Sequence, residues 1–356
     1  YSTDGDWDHP HFEKIMPFQA ENLRVFALAA TLWREPRWLE PAQKIRSFLK
    51  AFLTSPDGAF YTSQDADLVQ GEHSGDYFAL DDAARRKRGI PRVDTHIYAR
   101  ENGLAITGLC ALYAASGDVN CLADARRAAD LIVTHRALGD GGFRHDEQDA
   151  AGPFLGDTLA MGRAFLALYS ATAERPWLAR AEAAAAFIDG TFRAPIGFAT
   201  AAVAASATLQ PKPQVDENIT LVRFAHLLHA HTGHDSHGAI AEHAMRYLAA
   251  PAVVESLGFG TSGVLLVDRE LRTEPAHITI VGKKDDPRAR ELFETALRGA
   301  PMPVQLEWFD RREGPLPRND VPYPDLAEPA AFFCSKGVCS SPMTTPEQLA
   351  RKLPPK

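Results

Sequence analysis

Apolar and polar positions follow one another in an order that repeats along the chain. "NLRVFALAATLW" is apolar nearly all round, "PRWLEPAQKIRSFLKAFL" carries Lys44, Arg46 and Lys50 on one face, and "PDGAFY" is a glycine–aromatic turn. The order returns in "NGLAITGLCALYAASG", "CLADARRAADLIVTH" and "GGF", then in "TLAMGRAFLALYSAT", "PWLARAEAAAAFID" and "IGF". A fourth copy reads "NITLVRFAHLLHAHTG", "SHGAIAEHAMRYLA" and "LGF". The later copies recur at roughly 55–60 residues, the period of a helix pair. A helix that is apolar on every side is buried on several sides, whereas an amphipathic one shows its charged face to water. The pattern therefore predicts a mainly α protein, an inner ring of buried helices inside an outer ring: an α/α toroid.

A fifth, degenerate copy follows, with "SGVLLVDREL" as inner and "PRARELFETALRG" as outer helix. Between them "HITIVG" is β-branched and reads as a strand, as do "VQLEWF" and "AAFFC". "TPEQLARKL" starts a last helix with Thr345 as N-cap, Pro346 in first position and Gln348 closing a capping box. These features divide the chain into toroid hairpins over 1–272 and a small α/β segment over 273–356 that completes or decorates them. Five pairs fall one short of a six-pair ring. The expected place for the sixth is before Tyr1, in keeping with a chain that opens without a start-like segment.

Composition narrows the partners. Apolar residues make up 45% and charged residues 24% of 356, and the net charge is −8. No basic stripe suits nucleic acid. The longest uncharged run, 194–211, is short and weakly apolar for a membrane span. The cytoplasm is the default compartment, with secretion left open by the start at Tyr1. Cys110 sits in an apolar helix as a packing residue. Cys334 and Cys339 are close enough either to pair or to stand as two thiols on a loop. No phosphate loop, dinucleotide fingerprint or nucleophile elbow is present in context, so no cofactor is expected. His226 and His229 stand three apart on a helix, but no zinc motif is matched and no metal is expected.

The connections that lead from each glycine–aromatic turn to the next inner helix must gather at one mouth of the toroid, and their polar residues form the default site. They are His11, Glu13 and Lys14; Gln64, Asp65 and Asp67; Glu101 and Asn102; His145 and Asp146; Asp157; and Asp216, Glu217 and Asn218. Acid–base work on a sugar needs a proton donor and an acceptor, and His11 or Glu13 with Asp65 or Asp67 as partner supplies that pair. Lys14, Gln64, Asn102, Asp157 and Glu217 are the candidate substrate-binding groups, with Trp7 and Tyr61 as stacking platforms. Tyr77 lies nearby. Structural roles compete at several of these positions. Helix capping would account for Asp157, Asp216, Glu217 and Asn218. Turn bonds or a bound cation would account for Asp65 and Asp67. Core packing would account for Trp7, Tyr61 and Tyr77.

"YSTDGDWDHPHFEKIM", "GAFYTSQDAD", "RGIPRVDTHIYARENGLAI", "HITIVG" and "FFCSKGVCSSP", in this order, resemble the C-terminal region of the spermatogenesis-associated, thioredoxin-domain-containing protein family. The resemblance runs over nearly the whole chain, and "PHFEK" and "QDAD" are its most specific parts. It implies a six-hairpin glycosidase-like toroid, similar to N-acylglucosamine 2-epimerases, that follows a thioredoxin-like domain absent from this sequence. It places the family's HFEK segment on His11, Phe12, Glu13 and Lys14 and its acidic pair on Asp65 and Asp67. Where the family has tryptophan before Asn-Gly, this chain has Glu101, and the aspartate that usually follows HFEK is replaced, the run here being Ile15 to Gln19. Two functions follow as expectations. One is a carbohydrate-active enzyme, glycoside hydrolase or sugar epimerase/isomerase, acting on a small sugar-like substrate in the toroid mouth. The other is a non-catalytic glycan- or protein-binding module that works with a thioredoxin-like domain, in the same chain or a separate one.

Overall fold

The apolar repeats form helices of equal length, and that equality sets the architecture. The computed structural model describes residues 2–353 except 3, 4, 7, 9, 149–151, 204–209, 300–303 and 336–337. The first half runs β1 (Lys14–Ile15), α1 (Met16–Trp33), α2 (Pro36–Phe52), β2 (Ser63–Gln64), α3 (Gly75–Phe78), α4 (Asp82–Arg88), β3 (Val93–Asp94), α5 (Ala99–Ser116) and α6 (Val119–Arg136). The middle runs α7 (Leu155–Thr172), α8 (Arg175–Phe192), α9 (Val215–Thr232), α10 (Asp235–Leu248), α11 (Pro251–Leu257) and α12 (Ser262–Leu271). The last part is β4 (Ala276–Val281), α13 (Pro287–Gly299), β5 (Val304–Phe309), β6 (Ala330–Ser335), β7 (Val338–Cys339) and α14 (Pro346–Lys352).

The inner helices α1, α5, α7 and α9 each have 18 residues, so equal positions along them stand at equal depth. α1 packs on α5, α5 on α7, α7 on α9 and α9 on α12, while α2, α6, α8 and α10 lie outside their own inner partners. Gly103 and Gly108 let α5 approach both neighbours. A Cβ at Gly103 would stand 2.6 Å from the Ala160 backbone, and one at Gly108 would stand 2.9 Å from the Ala20 carbonyl. Each inner helix ends on a left-handed residue, Arg34, Gly117, Ala173 or Gly233, which turns the chain into the outer helix. Ion pairs then link successive outer helices. Arg46 reaches Asp118 and Asp124 at 2.6 and 3.0 Å, and Arg126 reaches Glu174 at 2.6 Å. At the ends of the ring, Phe18, Val25 and Leu32 on α1 and Leu265 and Leu266 on α12 are exposed.

The fifth helix pair expected from the sequence does not form. α12 joins the inner ring beside α9, but α13 packs on β4, β5, β6 and α14. Its apolar face, Ala289, Leu292, Phe293 and Ala296, belongs to a second core with Ile278, Ile280, Leu306 and Leu349. An amphipathic helix is claimed by whichever apolar surface lies nearest, and here the sheet supplies it. The sheet order is β5-β4-β6-β7, with β4 and β5 parallel and the other pairs antiparallel. Cys334 and Cys339 face each other across β6 and β7 and form a disulfide. Thr345 caps α14 by accepting the Gln348 amide at 3.3 Å, while the Gln348 side chain accepts the Thr344 amide at 2.8 Å, one residue earlier than in a standard capping box. Among the described residues no helix is long and apolar enough to cross a membrane.

The sheet is fastened to the toroid by one buried carboxylate. Glu307 on β5 accepts a hydrogen bond from the Tyr169 hydroxyl of α7 and another, at 2.6 Å, from His231 Nδ1 of α9. All three residues are at most 2% exposed.

Candidate functional site

Aligned on their first residues, the inner helices place an acid at the third position and a hydrogen-bonding residue at the fourth: Glu101–Asn102, Asp157–Thr158 and Glu217–Asn218. In α1 the same positions hold Phe18 and Gln19. The fourth position is structural. Asn102 Oδ1 accepts the Phe60 amide at 2.7 Å, and its Nδ2 donates to the Phe60 and Tyr98 carbonyls at 3.0 and 2.9 Å. Asn218 clamps Phe198 and the Gln214 carbonyl in the same way, and Thr158 Oγ1 accepts the Phe143 amide at 3.0 Å. Each clamp pins the aromatic residue of a glycine–aromatic turn to the next inner helix. Asn102 is fully buried and committed to this bond set, so the substrate-binding role expected of it gives way to a fold role.

The third position differs. Asp157 does not cap its own helix. Its Oδ1 accepts the Arg100 amide in the first turn of α5 at 2.9 Å and lies 3.0 Å from His145 Nδ1. The carboxylate makes His145 Nδ1 the donor nitrogen, which leaves Nε2 as the basic one. Glu101 is 6% exposed, and its Oε2 is buried with no hydrogen-bond partner. Glu217 Oε1 accepts from Thr200 at 3.2 Å, and its Oε2 is likewise buried and unpartnered. Burial pushes both glutamates above the usual carboxyl range, and the charge of Asp157 adds to the effect on each. Burial thus works against the charged form of each. Three inner helices and the connection before α7 bring two carboxyls of raised pKa around an Asp–His pair.

Aromatic groups line the approach. Tyr98 stacks on His145 at 4.0 Å and on His96 at 5.6 Å between ring centroids. His96 Nδ1 is 2.5 Å from Asp94 Oδ1, a bond that raises the His96 pKa. Asp94, His96 and Tyr98 alternate along "VDTHIYAR", and that period of two in an extended stretch is the signal that could have picked them out. His145 and Glu101 are legible in the sequence as mouth residues.

The residues favoured for catalysis from sequence lie on and beside the small sheet that also carries Asp94. β1, β2 and β3 pair antiparallel, with Lys14 opposite Gln64 and Gln64 opposite Val93. His11 and Glu13 do come together, at 3.4 Å, each 34% exposed. Asp65 and Asp67 follow β2 directly, and the β1–β2 register, continued by one residue, sets Asp65 opposite Glu13. Asp65 accepts the Asp67 amide at 3.3 Å, and Asp67 accepts the Gly71 amide at 3.2 Å, which is turn chemistry. Lys14 donates to the Phe12 carbonyl at 2.6 Å and lies 4.2 Å from the Phe78 ring centre. Burial, then Arg85, lowers its pKa to about 8. Gln64 is buried on β2, Tyr61 packs against the main core, and Tyr77 is buried with its hydroxyl on the Gly89 carbonyl. Trp7 lies outside the described residues.

His226 and His229 do not act as a ligand pair: His226 Nε2 bonds the Thr273 carbonyl and His229 Nδ1 the His234 carbonyl. The described residues that could hold a metal ion are instead Glu182, His234 and His237, whose ligand atoms lie within 4.8 Å of one another.

No family model matches the chain. Over 67 residues it is 34% identical to Spermatogenesis-associated protein 20 of Mus musculus, a stretch that covers 19% of this chain and 8% of that protein. The Homo sapiens protein gives the same figures. The chain is thus a partial homologue of these proteins, matched over less than a tenth of their length. Its fold is similar to that of a sugar epimerase from a ruminal bacterium, with TM-score 0.52, 17% identity and coverage of 67% of this chain and 60% of the other. A cellobiose 2-epimerase from Spirochaeta thermophila gives 0.52, 17%, 70% and 61%. A family 76 glycoside hydrolase, an alpha-mannanase of Bacteroides thetaiotaomicron, gives 0.50, 12%, 71% and 68%. At these identities the likeness is one of fold, the α/α toroid.

Proposed function

We propose that the protein is a sugar-processing enzyme whose acid–base groups are the mouth residues His145, Asp157, Glu101 and Glu217. One observation carries the reading: two carboxyls at equal depth on α5 and α9, each with a buried oxygen that has no partner among the described residues, flank Asp157 of α7 and its partner His145 from the connection before that helix. The fold likeness to epimerases and a glycoside hydrolase supports a sugar as the small molecule that enters.

The arrangement suits proton transfer at a carbon beside a carbonyl, the step of sugar epimerisation and isomerisation. His145, held by Asp157 through Nδ1, takes the proton from the carbon. Protonated Glu101 or Glu217 gives its proton to the carbonyl oxygen, and an enediol forms. Return of the carbon proton to the other face, or to the adjacent carbon, while the glutamate takes a proton back from an enediol hydroxyl, completes the reaction. Tyr98 and His96 offer the ring surface on which a sugar stacks. The His11–Glu13 corner, with Lys14, borders α1 and is assigned to shaping the entrance.

The test is incubation with aldoses, ketoses and disaccharides in D₂O, with deuterium at the carbon beside the carbonyl read by NMR. The wild type exchanges at least one sugar, and Glu101→Gln and Asp157→Asn lose about 10²–10⁴-fold in rate. Absence of exchange or hydrolysis with every sugar would overturn the reading. The second reading, a non-catalytic module beside a thioredoxin-like domain, draws on the Cys334–Cys339 disulfide. Sugar or peptide binding without turnover would favour it.

A further inference from the structure

Below the mouth, the ninth positions of the same four helices hold Arg24, Thr107, Arg163 and Arg223. Six residues separate this level from the acids, a depth of about 9 Å. Two of the arginines are neutralised. Arg24 donates to Glu21 at 2.9 Å, and Arg223 to Glu270 of α12 at 2.5 Å. Arg163 is partly buried and, among the described residues, has neither a hydrogen bond nor an ion pair. The charges of Arg24, Arg223 and Glu21 all reach it. Three guanidiniums and two carboxylates share this level, which leaves one positive charge uncompensated, and it rests on Arg163.

A half-buried guanidinium beside two others, with no acceptor among the described residues, costs stability and adds nothing to packing that a neutral side chain would not supply. Burial and then the charge of Arg24 lower its pKa to about 10, which still leaves it charged at neutral pH. Its planar fork matches a carboxylate or a phosphate. We infer that Arg163 anchors a single anionic group on the substrate, so that the sugar taken by the mouth is an acidic one, a sugar carboxylate or a sugar phosphate. The inference rests on the sugar-processing reading above and adds the substrate's charge to it. With the anion on Arg163, the sugar carbons stand between the arginine level and Glu101, Asp157 and Glu217.

The experiment compares D-glucuronate, glucose 6-phosphate, D-glucose and inorganic phosphate at matched ionic strength by thermal shift and calorimetry, on the wild type, Arg163→Gln and Arg163→Lys. The expected result is binding of one or both anionic sugars, with glucose at least about tenfold weaker. Arg163→Gln loses about tenfold or more in that affinity, Arg163→Lys keeps part of it, and Arg163→Gln unfolds no earlier than the wild type. If the carboxylate sugar binds and the phosphate sugar does not, or the reverse, the source of the anion is identified. Equal binding of glucose and the anionic sugars, or an Arg163→Gln protein with unchanged affinity, overturns the anion anchor and leaves the sugar reading standing. Inorganic phosphate binding as tightly as glucose 6-phosphate, in an Arg163-dependent way, keeps the anchor and removes the sugar reading. Failure of all four probes to bind the wild type overturns the inference.

Discussion

Two regions of this molecule bury glutamates, and they treat them differently. At the toroid–sheet junction both oxygens of Glu307 accept hydrogen bonds, one from Tyr169 and one from His231. At the mouth Glu101 and Glu217 each keep an oxygen buried and unpartnered, and burial pushes both pKa values up. A satisfied buried carboxylate holds elements together, whereas an unsatisfied one is destabilising unless something outside the fold completes it. The difference separates the structural acid from the ones proposed for chemistry. The arginine level follows the same logic, with Arg24 and Arg223 paired and Arg163 not.

The largest expected effect is at the junction. Glu307→Ala strands a buried hydroxyl and a buried imidazole and should lower unfolding stability by about 3–5 kcal/mol in denaturant titration. A loss below about 1 kcal/mol would remove the contrast. The clamps come next. Asn102→Ala and Asn218→Ala each leave the backbone of a buried aromatic residue without partners and should cost about 1–3 kcal/mol, with the loss confined to stability.

The mouth acids should move stability the other way. Their folded-state pKa values lie above the ordinary carboxyl value of 4.5. Each therefore lends stability that is fully present below pH 4.5 and is lost as pH rises through the folded value. Denaturant titrations between pH 4.5 and 8 should show the wild type losing stability relative to Glu101→Gln as pH rises. A constant difference across that range would mean that Glu101 is not held in its acid form. The smallest effect is at Arg34, an exposed left-handed residue with φ 52°. Arg34→Gly should raise stability by about 0.5–1 kcal/mol, and a loss would show that the arginine side chain earns its place.

Much of this was legible in the sequence because helix periodicity is local. The four apolar and amphipathic pairs stood out, and so did the last three-residue signals of α14. α13 was misassigned because its amphipathic pattern fits an outer toroid helix as well as a sheet-covering one, and only the position of β4 and β5 decides between them. The site was half legible. Asp157 and Glu217 could be named as mouth residues, but their roles depend on which oxygens the fold leaves unpaired, a three-dimensional property. Asp65 and Asp67 show a related limit: alternate aspartates suit a turn as well as a reaction, and here they accept the amides of Asp67 and Gly71.

The most direct test measures stability and deuterium exchange on one preparation of Glu101→Gln. The account predicts a melting temperature equal to or above that of the wild type, with sugar exchange lost. A melting temperature that falls as it does for Glu307→Ala, or an exchange rate that survives, would contradict it.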